Sequence, residues 1–297
     1  RKLPPDLMKF PAAGTPVVLL APTRPAWIVA RLALLLLGAL AVPLDDLITD
    51  ADLSHALGDS GARHILTTTD YRQRLQSLNG SHAIISLDDV VDPAAGKPEP
   101  SRDGARMKRD LLRATWGSAN PETPFTLFYT SGTTGPPKGV PLTHRNILAN
   151  LDVLCRERLI GNEDRVLLPL PLHHSYPFLV GLLLPLAMGA SIVLPSGIGG
   201  TEIATALRAG RATAMLGVPR MYEALVAGIE TRVGAGGRLS LVLFRALLAV
   251  AIWGVRHVRI GLGGILFKPL RAALAPSLRL MGCGGAWLDP AIEWRLR

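Results

Sequence analysis

The sequence predicts an α/β protein built of mostly parallel β-sheets layered with helices. Short β-branched or apolar runs alternate with helical stretches along most of the chain. Such β-α-β alternation implies parallel strands with helices covering both faces. The 297 residues are enough for one large domain or two modest ones with buried cores. With 48% hydrophobic and 19% charged residues, the composition is that of a globular protein and argues against disorder.

Taken in order, Pro16 to Leu20 reads as a strand. A helix opens near Thr23, an N-cap residue with Pro25 just inside, and ends around Gly38 to Pro43. A second short helix is expected from about Thr49, then strands at His64 to Thr67 and Ala83 to Leu87. From Asp89 to Pro124 the chain turns rich in Pro, Asp, Arg, Lys and Gly. This reads as a surface connection and suggests a seam between sub-domains 1–115 and 120–297. Alternation then resumes, with strands at Thr126–Tyr129, Val166–Leu168, Ser191–Leu194, Thr213–Leu216 and Leu278–Met281. The intervening helices are Arg145–Arg158, Phe178–Met188, Glu202–Ala209 and Pro219–Arg232.

Leu241 to Val255 is apolar nearly all round and leads into a basic patch that includes Arg256, Lys268 and Arg271. One reading is a helical hairpin packed on the domain. The other is a surface helix within 241–271 that touches an anionic membrane as a peripheral contact. The apolar run near the start, Leu32 to Val42, is too short to span a bilayer.

The net charge of +9 makes an anionic partner plausible: ATP, the phosphates of coenzyme A, or an acidic membrane surface. Nucleic acid is set aside, because aromatic content is 5% and the basic residues form no stripe. Cys155 and Cys283 lie far apart without metal-ligand spacing and read as buried reduced thiols of a cytoplasmic protein. No signal peptide is visible at the start, which also lacks a Met. The expected location is therefore the cytoplasm, with the inner face of the membrane as the alternative.

The richest stretch is Leu127 to Lys138, LFYTSGTTGPPK, followed by Gly139. Its glycines, Gly132, Gly135 and Gly139, permit backbone angles that turn N–H groups toward an anion. The hydroxyls of Thr130, Ser131, Thr133 and Thr134 add donors for phosphate oxygens, and Lys138 supplies a compact positive charge. A plain surface loop is the alternative. The Gly-x4-Gly-Lys-Ser/Thr pattern of kinases and GTPases does not fit, since Lys138 is followed by Gly139 and Val140. Leu170 to Phe178 carries the pair His173-His174 followed by Tyr176 and Phe178. A shared metal is disfavoured, because neighbours on a strand point to opposite faces; a buried structural pair stays open. Gly217 to Glu223 reads GVPRMYE, a helix start after a strand. Gly282 to Leu288 reads GCGGAWL, where glycines at a strand end either make a turn or let a flat ring approach the backbone.

In order and spacing these four stretches resemble the acyl-adenylate-forming, or AMP-binding, enzymes: acyl-CoA synthetases, luciferases and peptide-synthetase adenylation domains. The resemblance implies the large N-terminal domain of that fold, incomplete and without the small C-terminal domain. It implies ATP, Mg2+ and coenzyme A as cofactor or co-substrates. Thr130, Ser131, Gly132, Thr133, Thr134, Gly135 and Lys138 would bind the phosphates, with Thr133 the candidate metal ligand. His174 would sit beside the substrate carboxylate and α-phosphate, where an imidazole donates to developing negative charge. Tyr176 and Phe178 would border the acyl pocket, and Gly284, Gly285 and Ala286 would line the adenine site. The GVPRMYE stretch and the long apolar segment after it look most like long-chain fatty acid–CoA ligases.

The family's Tyr-Gly-x-Thr-Glu and Thr-Gly-Asp motifs and its C-terminal catalytic Lys have no counterpart before Arg297. Taken alone the sequence is therefore expected to have weak or no turnover. The function so implied is ATP-dependent activation of a fatty acid to acyl-AMP, then thioester formation with coenzyme A. Transfer to acyl carrier protein, arrest at acyl-AMP, and a non-catalytic nucleotide- or membrane-binding role are the alternatives.

Overall fold

The computed structural model describes residues 13–76, 82–88, 120–130, 135–258 and 261–296. The chain divides into two compact units. The first comprises residues 1–153 with 171–175, and the second residues 154–170 with 176–297.

The first unit is organised on a six-stranded sheet. Its strands are β1 (Pro16–Leu20), β2 (Leu40–Leu44), β3 (His64–Thr67), β4 (Ala83–Ser86), β5 (Pro124–Thr130) and β6 (Lys138–Thr143), in spatial order β4-β3-β1-β2-β5-β6. All neighbours pair in parallel except the β5–β6 hairpin. Helices α1 (Pro25–Leu36), α2 (Asp50–Ser60) and α3 (Thr69–Gln76) connect the first four strands. Val17, Val18, Leu19 and Leu20 of β1 are all fully buried, as expected of a central parallel strand covered on both faces. Val18 and Leu20 share a cluster with Leu53 and Leu57 of α2 and Leu75 of α3. Val17 and Leu19 point to the opposite face of the sheet, by the two-residue period of a strand.

Local chemistry sets the helix ends. Thr49 caps α2 by accepting from Asp52 N at 3.1 Å, and Gly61 ends it with φ +65°. The start of α1 differs from expectation: the N-cap is Arg24, which makes no side-chain cap. Thr23 is used elsewhere, its Oγ1 accepting from Leu172 N at 3.1 Å. The expected end of α1 also shortens, because Leu40–Leu44 forms strand β2. Arg31, on the buried face of α1, lies over the Phe125 ring at 5.0 Å, and burial pulls its pKa down to about 9. Strand β5 pairs with β2 through Ala41 and Thr126, so residues after 120 complete the first sheet. The division between units therefore falls at 153/154 and not near 89–124. Of that expected connection, residues 89–119 lie outside the described residues.

Helix α4 (His144–Glu157) leads toward the second unit. There a four-stranded parallel sheet has the order β10-β9-β7-β8. Its strands are β7 (Arg165–Leu167), β8 (Ser191–Val193), β9 (Ala214–Gly217) and β10 (Leu280–Cys283). Between β7 and β8 the chain enters α5 (Pro177–Leu183), a π-helical segment, and continues as α6 (Leu184–Met188). The sequence pattern predicts one regular helix here. The wide turn coincides with Gly181, where a Cβ would collide with Leu168 Cδ1. Helix α7 (Gly200–Ala209) joins β8 to β9, and α8 (Pro219–Gly234) follows β9. A short turn then leads into α9 (Arg238–Val258), which packs on α8, as the hairpin reading expects. Short helices α10 (Gly263–Leu266) and α11 (Lys268–Leu274) precede β10, and α12 (Pro290–Leu296) follows it.

One buried carboxylate ties this sheet together. Asp164, just before β7, accepts from Thr213 Oγ1 at 2.6 Å, Gly161 N at 2.8 Å and Arg279 Nε at 3.0 Å, with a second bond to the Arg279 guanidinium. These bonds hold its pKa down at about 2, the Arg279 bond being the largest cause. The strand starts of β7, β9 and β10 are thereby pinned at one point.

Candidate functional site

The signature loop sits on the β5–β6 hairpin of the first unit. Thr130 stands opposite Lys138 in the antiparallel register, so strand pairing closes the neck of the loop. Thr130 Oγ1 also donates to Lys138 O at 3.5 Å. Ser131, Gly132, Thr133 and Thr134 lie outside the described residues, and with them the expected metal ligand Thr133. Thr130, Gly135 and Lys138 are exposed.

Helix α2 moors the hairpin from one side. His55 Nε2 donates to Pro137 O at 2.9 Å. Tyr129 Oη donates to Asp59 Oδ2 at 2.7 Å, and burial together with that carboxylate raises the phenol's pKa. A Cβ at Gly139 would come within 3.1 Å of Leu127 Cδ1 and 3.2 Å of Asp59 Oδ2. The glycine after the signature lysine is therefore also a packing requirement: it lets β6 lie close against α2. No Asp or Glu occurs between Glu122 and Asp152, while Lys138 and Arg145 do. Arg145 is paired with Glu122, which leaves Lys138 to meet an anion.

The His pair lies in a turn, not a strand, so the opposite-face argument does not apply. The two rings tilt against each other, centroids 4.3 Å apart at 58°. His173 is nine-tenths buried, with Nε2 3.7 Å from Asp45 Oδ2 just past the end of β2. Burial and the neighbouring His174 lower its pKa, against the opposing pull of Asp45 and Asp46. His174 is exposed. The pair is thus split: His173 is packed into the turn with its Nε2 making no hydrogen bond among the described residues, and His174 stays open. Asp45, Asp46 and His173 also place three potential ligand atoms within 4.8 Å of one another, a set able to hold a cation. Tyr71 Oη donates to Asp46 at 3.2 Å and Leu47 N to Asp45 at 2.9 Å.

The second unit carries the remaining expected residues. Tyr176 precedes α5, and burial and then Cys283 push its hydroxyl pKa up to about 12. Its ring lies against Gly284, where a Cβ would fall 2.6 Å from Tyr176 Cζ. The ring that approaches Gly284 here is the protein's own. Gly285 adopts φ +83°, and Ala286 is exposed beside it. Phe178 is buried in α5.

Tyr222 was not singled out from sequence as a structural residue, yet it holds this end of the sheet. Its Oη donates to Gly282 O at 2.8 Å, with Met215 O at 3.3 Å. The ring covers Gly217, where a Cβ would come within 2.8 Å. The signal lies within GVPRMYE, where the tyrosine follows a glycine five residues earlier. The tyrosine at its sixth position locks β9 to β10, whose Gly217 and Cys283 are in register.

Each unit is thus built on a mostly parallel sheet, and the first carries the glycine- and hydroxyl-rich stretch that ends in Lys138. The chain belongs to the AMP-binding enzyme family, whose sequence profile matches residues 12–297. It is similar to the feruloyl-CoA synthase of an Amycolatopsis species, 29% identical over 72% of this chain and 40% of that protein. It is also similar to the long-chain-fatty-acid–CoA ligase FadD15 of Mycobacterium bovis, 27% identical over 92% of this chain and 48% of that one. The chain thus spans under half the length of these curated relatives. The inhibitor-bound N-terminal domain of FACL13 from Mycobacterium tuberculosis shares the fold, with a TM-score of 0.66 at 20% identity over 96% of this chain and 60% of that one. The Bacillus subtilis o-succinylbenzoate coenzyme A synthetase MenE, solved in complex with AMP, matches at a TM-score of 0.59 and 25% identity, over 73% of this chain and 52% of that one. Other relatives are named for sulfoacetate and 4-coumarate, so the family's acids range widely.

Proposed function

We propose that the protein takes part in ATP-dependent activation of a carboxylic acid, forming acyl-AMP with release of pyrophosphate, followed by thioester formation with coenzyme A. The observation that carries this reading is the loop between Thr130 and Lys138. Its neck is fixed by strand register and by α2, and its residues offer hydroxyls, backbone N–H groups and one lysine. In this reading Lys138, Thr130 and Gly135, with Ser131 to Thr134, hold the β- and γ-phosphates. Magnesium would accompany the nucleotide, with Thr133 the ligand on this chain that the family resemblance implies. His174, exposed and backed by His173, donates a hydrogen bond toward the carboxylate and α-phosphate. Gly284, Gly285 and Ala286 receive the adenine, and Tyr176 and Phe178 border the acyl group.

The finer proposal is that the acid is a long-chain fatty acid. Support comes from the FadD15 similarity, which extends over nearly the whole chain, and from the apolar segment after Tyr222. Acyl carrier protein as acceptor is the competing reading. Carboxylate-dependent exchange of labelled pyrophosphate into ATP tests the substrate, with fatty acids of graded length run beside ferulate, 4-coumarate and sulfoacetate. Exchange should be strongest with long-chain acids. Exchange stimulated by the aryl or sulfonated acids alone would overturn the fatty-acid assignment and leave adenylation standing.

A further inference from the structure

We propose that α9 docks the protein flat on an anionic phospholipid bilayer. This inference stands apart from the catalytic reading and survives its failure. Helix α9 runs Arg238–Val258, and its long apolar window has mean hydropathy 1.8, with only 11% of that window buried. Surface helices normally turn an apolar stripe inward and a polar one outward. Here the outward stripe is apolar too. Leu239, Val242, Leu243, Val250 and Trp253 are 82%, 64%, 57%, 51% and 55% exposed. Their three- and four-residue spacing puts them on one face, with Ala246 between. Isolated exposed leucines need no explanation, but a contiguous stripe several turns long marks a contact surface.

Charge selects the occupant. From 231 to 288 the chain contains eight Lys or Arg and not one Asp or Glu; Arg245 is paired with Glu230 of α8 and Arg279 with Asp164. Arg238 begins the helix, Arg256 and His257 end it, and Lys268 and Arg271 follow on α11, all of them exposed. Trp253 sits in the last turns, beside His257, its ring stacked on the imidazole at 5.4 Å. An aromatic side chain and cations around an apolar stripe are the chemistry of the lipid headgroup boundary. An anionic membrane attracts Arg238, Arg256, Lys268 and Arg271 alike. The helix is long enough to span a bilayer by length and composition. Its inner side, however, packs on α8, α10 and α12, and Ala251 is buried there. It therefore lies in the interface plane.

The test is co-sedimentation of the 297-residue protein with vesicles of phosphatidylcholine alone or with about one-third phosphatidylglycerol. Binding to the anionic vesicles should exceed binding to the neutral ones by on the order of tenfold and weaken in high salt. The double variant Leu243→Glu/Val250→Glu alters exposed positions only and should lose that binding while keeping its circular dichroism spectrum. Lys268→Glu/Arg271→Glu, which leaves the apolar stripe intact, should lower anionic binding to near the neutral level. Wild-type protein that ignores both vesicles, or variants that bind as well as wild type, would overturn the proposal. So would a wild-type dimer that Leu243→Glu/Val250→Glu converts to monomer without any lipid dependence, since the stripe would then join two copies.

Discussion

Asp164 illustrates how one side chain organises a strand layer. It meets Arg279, Thr213 and Gly161 together, and the side chain is 8% exposed. The carboxylate titrates near 2 when folded and near its ordinary 3.8 when unfolded. Its stabilisation is therefore fully present above about pH 4 and is lost as the pH falls through about 2. Asp164→Asn should cost about 2 kcal/mol at neutral pH. Urea unfolding at neutral pH and near pH 2 checks this: the gap between variant and wild type should close at the acid end. A gap that persists there would mean the loss came from packing. At the same scale, Tyr176 on Gly284 and Tyr222 on Gly217 show why glycines recur at the ends of β9 and β10: each makes room for a ring.

At the scale of elements, the β5–β6 hairpin depends on α2. The helix supplies His55 to Pro137 and Asp59 to Tyr129, so loosening α2 loosens the loop. Thr49 caps that helix, with Asp52 one turn in. Thr49→Ala should destabilise the protein by about 1 kcal/mol, read as a lower midpoint in urea. Unchanged stability would show that the cap is dispensable.

Much of this level was legible in the sequence. Pro16–Leu20 and His64–Thr67 announce buried parallel strands, and Thr49 and Pro219 announce helix starts. What was missed has physical causes. Strand β6 carries Pro141 and alternates little, so nothing in its own composition marks it; its pairing with β5 makes it a strand. Strand β2 follows α1 after three residues and contains Pro43, which made it look like the helix end. Helix α3 has few apolar residues and a single buried one, Leu75. Thr23 looks like a cap because cap chemistry is local, but its partner, Leu172 N, is distant in sequence.

For the whole molecule, membership of the AMP-binding enzyme family was readable from four short stretches in order. The division into units was not, because it depends on β5 joining β2. The site residues were legible as types and less so as an arrangement. The mooring of Pro137 on His55, the approach of His173 to Asp45 and the Tyr176 ring on Gly284 are contacts between segments far apart in sequence. The central claim is that the Thr130–Lys138 loop holds the terminal phosphates of ATP. Calorimetric titration of the 297-residue protein and its Lys138→Ala variant with ATP and with AMP tests it most directly. The account predicts that the variant loses ATP affinity by on the order of tenfold, the loss of one charge-assisted phosphate contact, while AMP affinity is unchanged. Equal ATP affinity in the two proteins, or an equal loss for ATP and AMP, would contradict it.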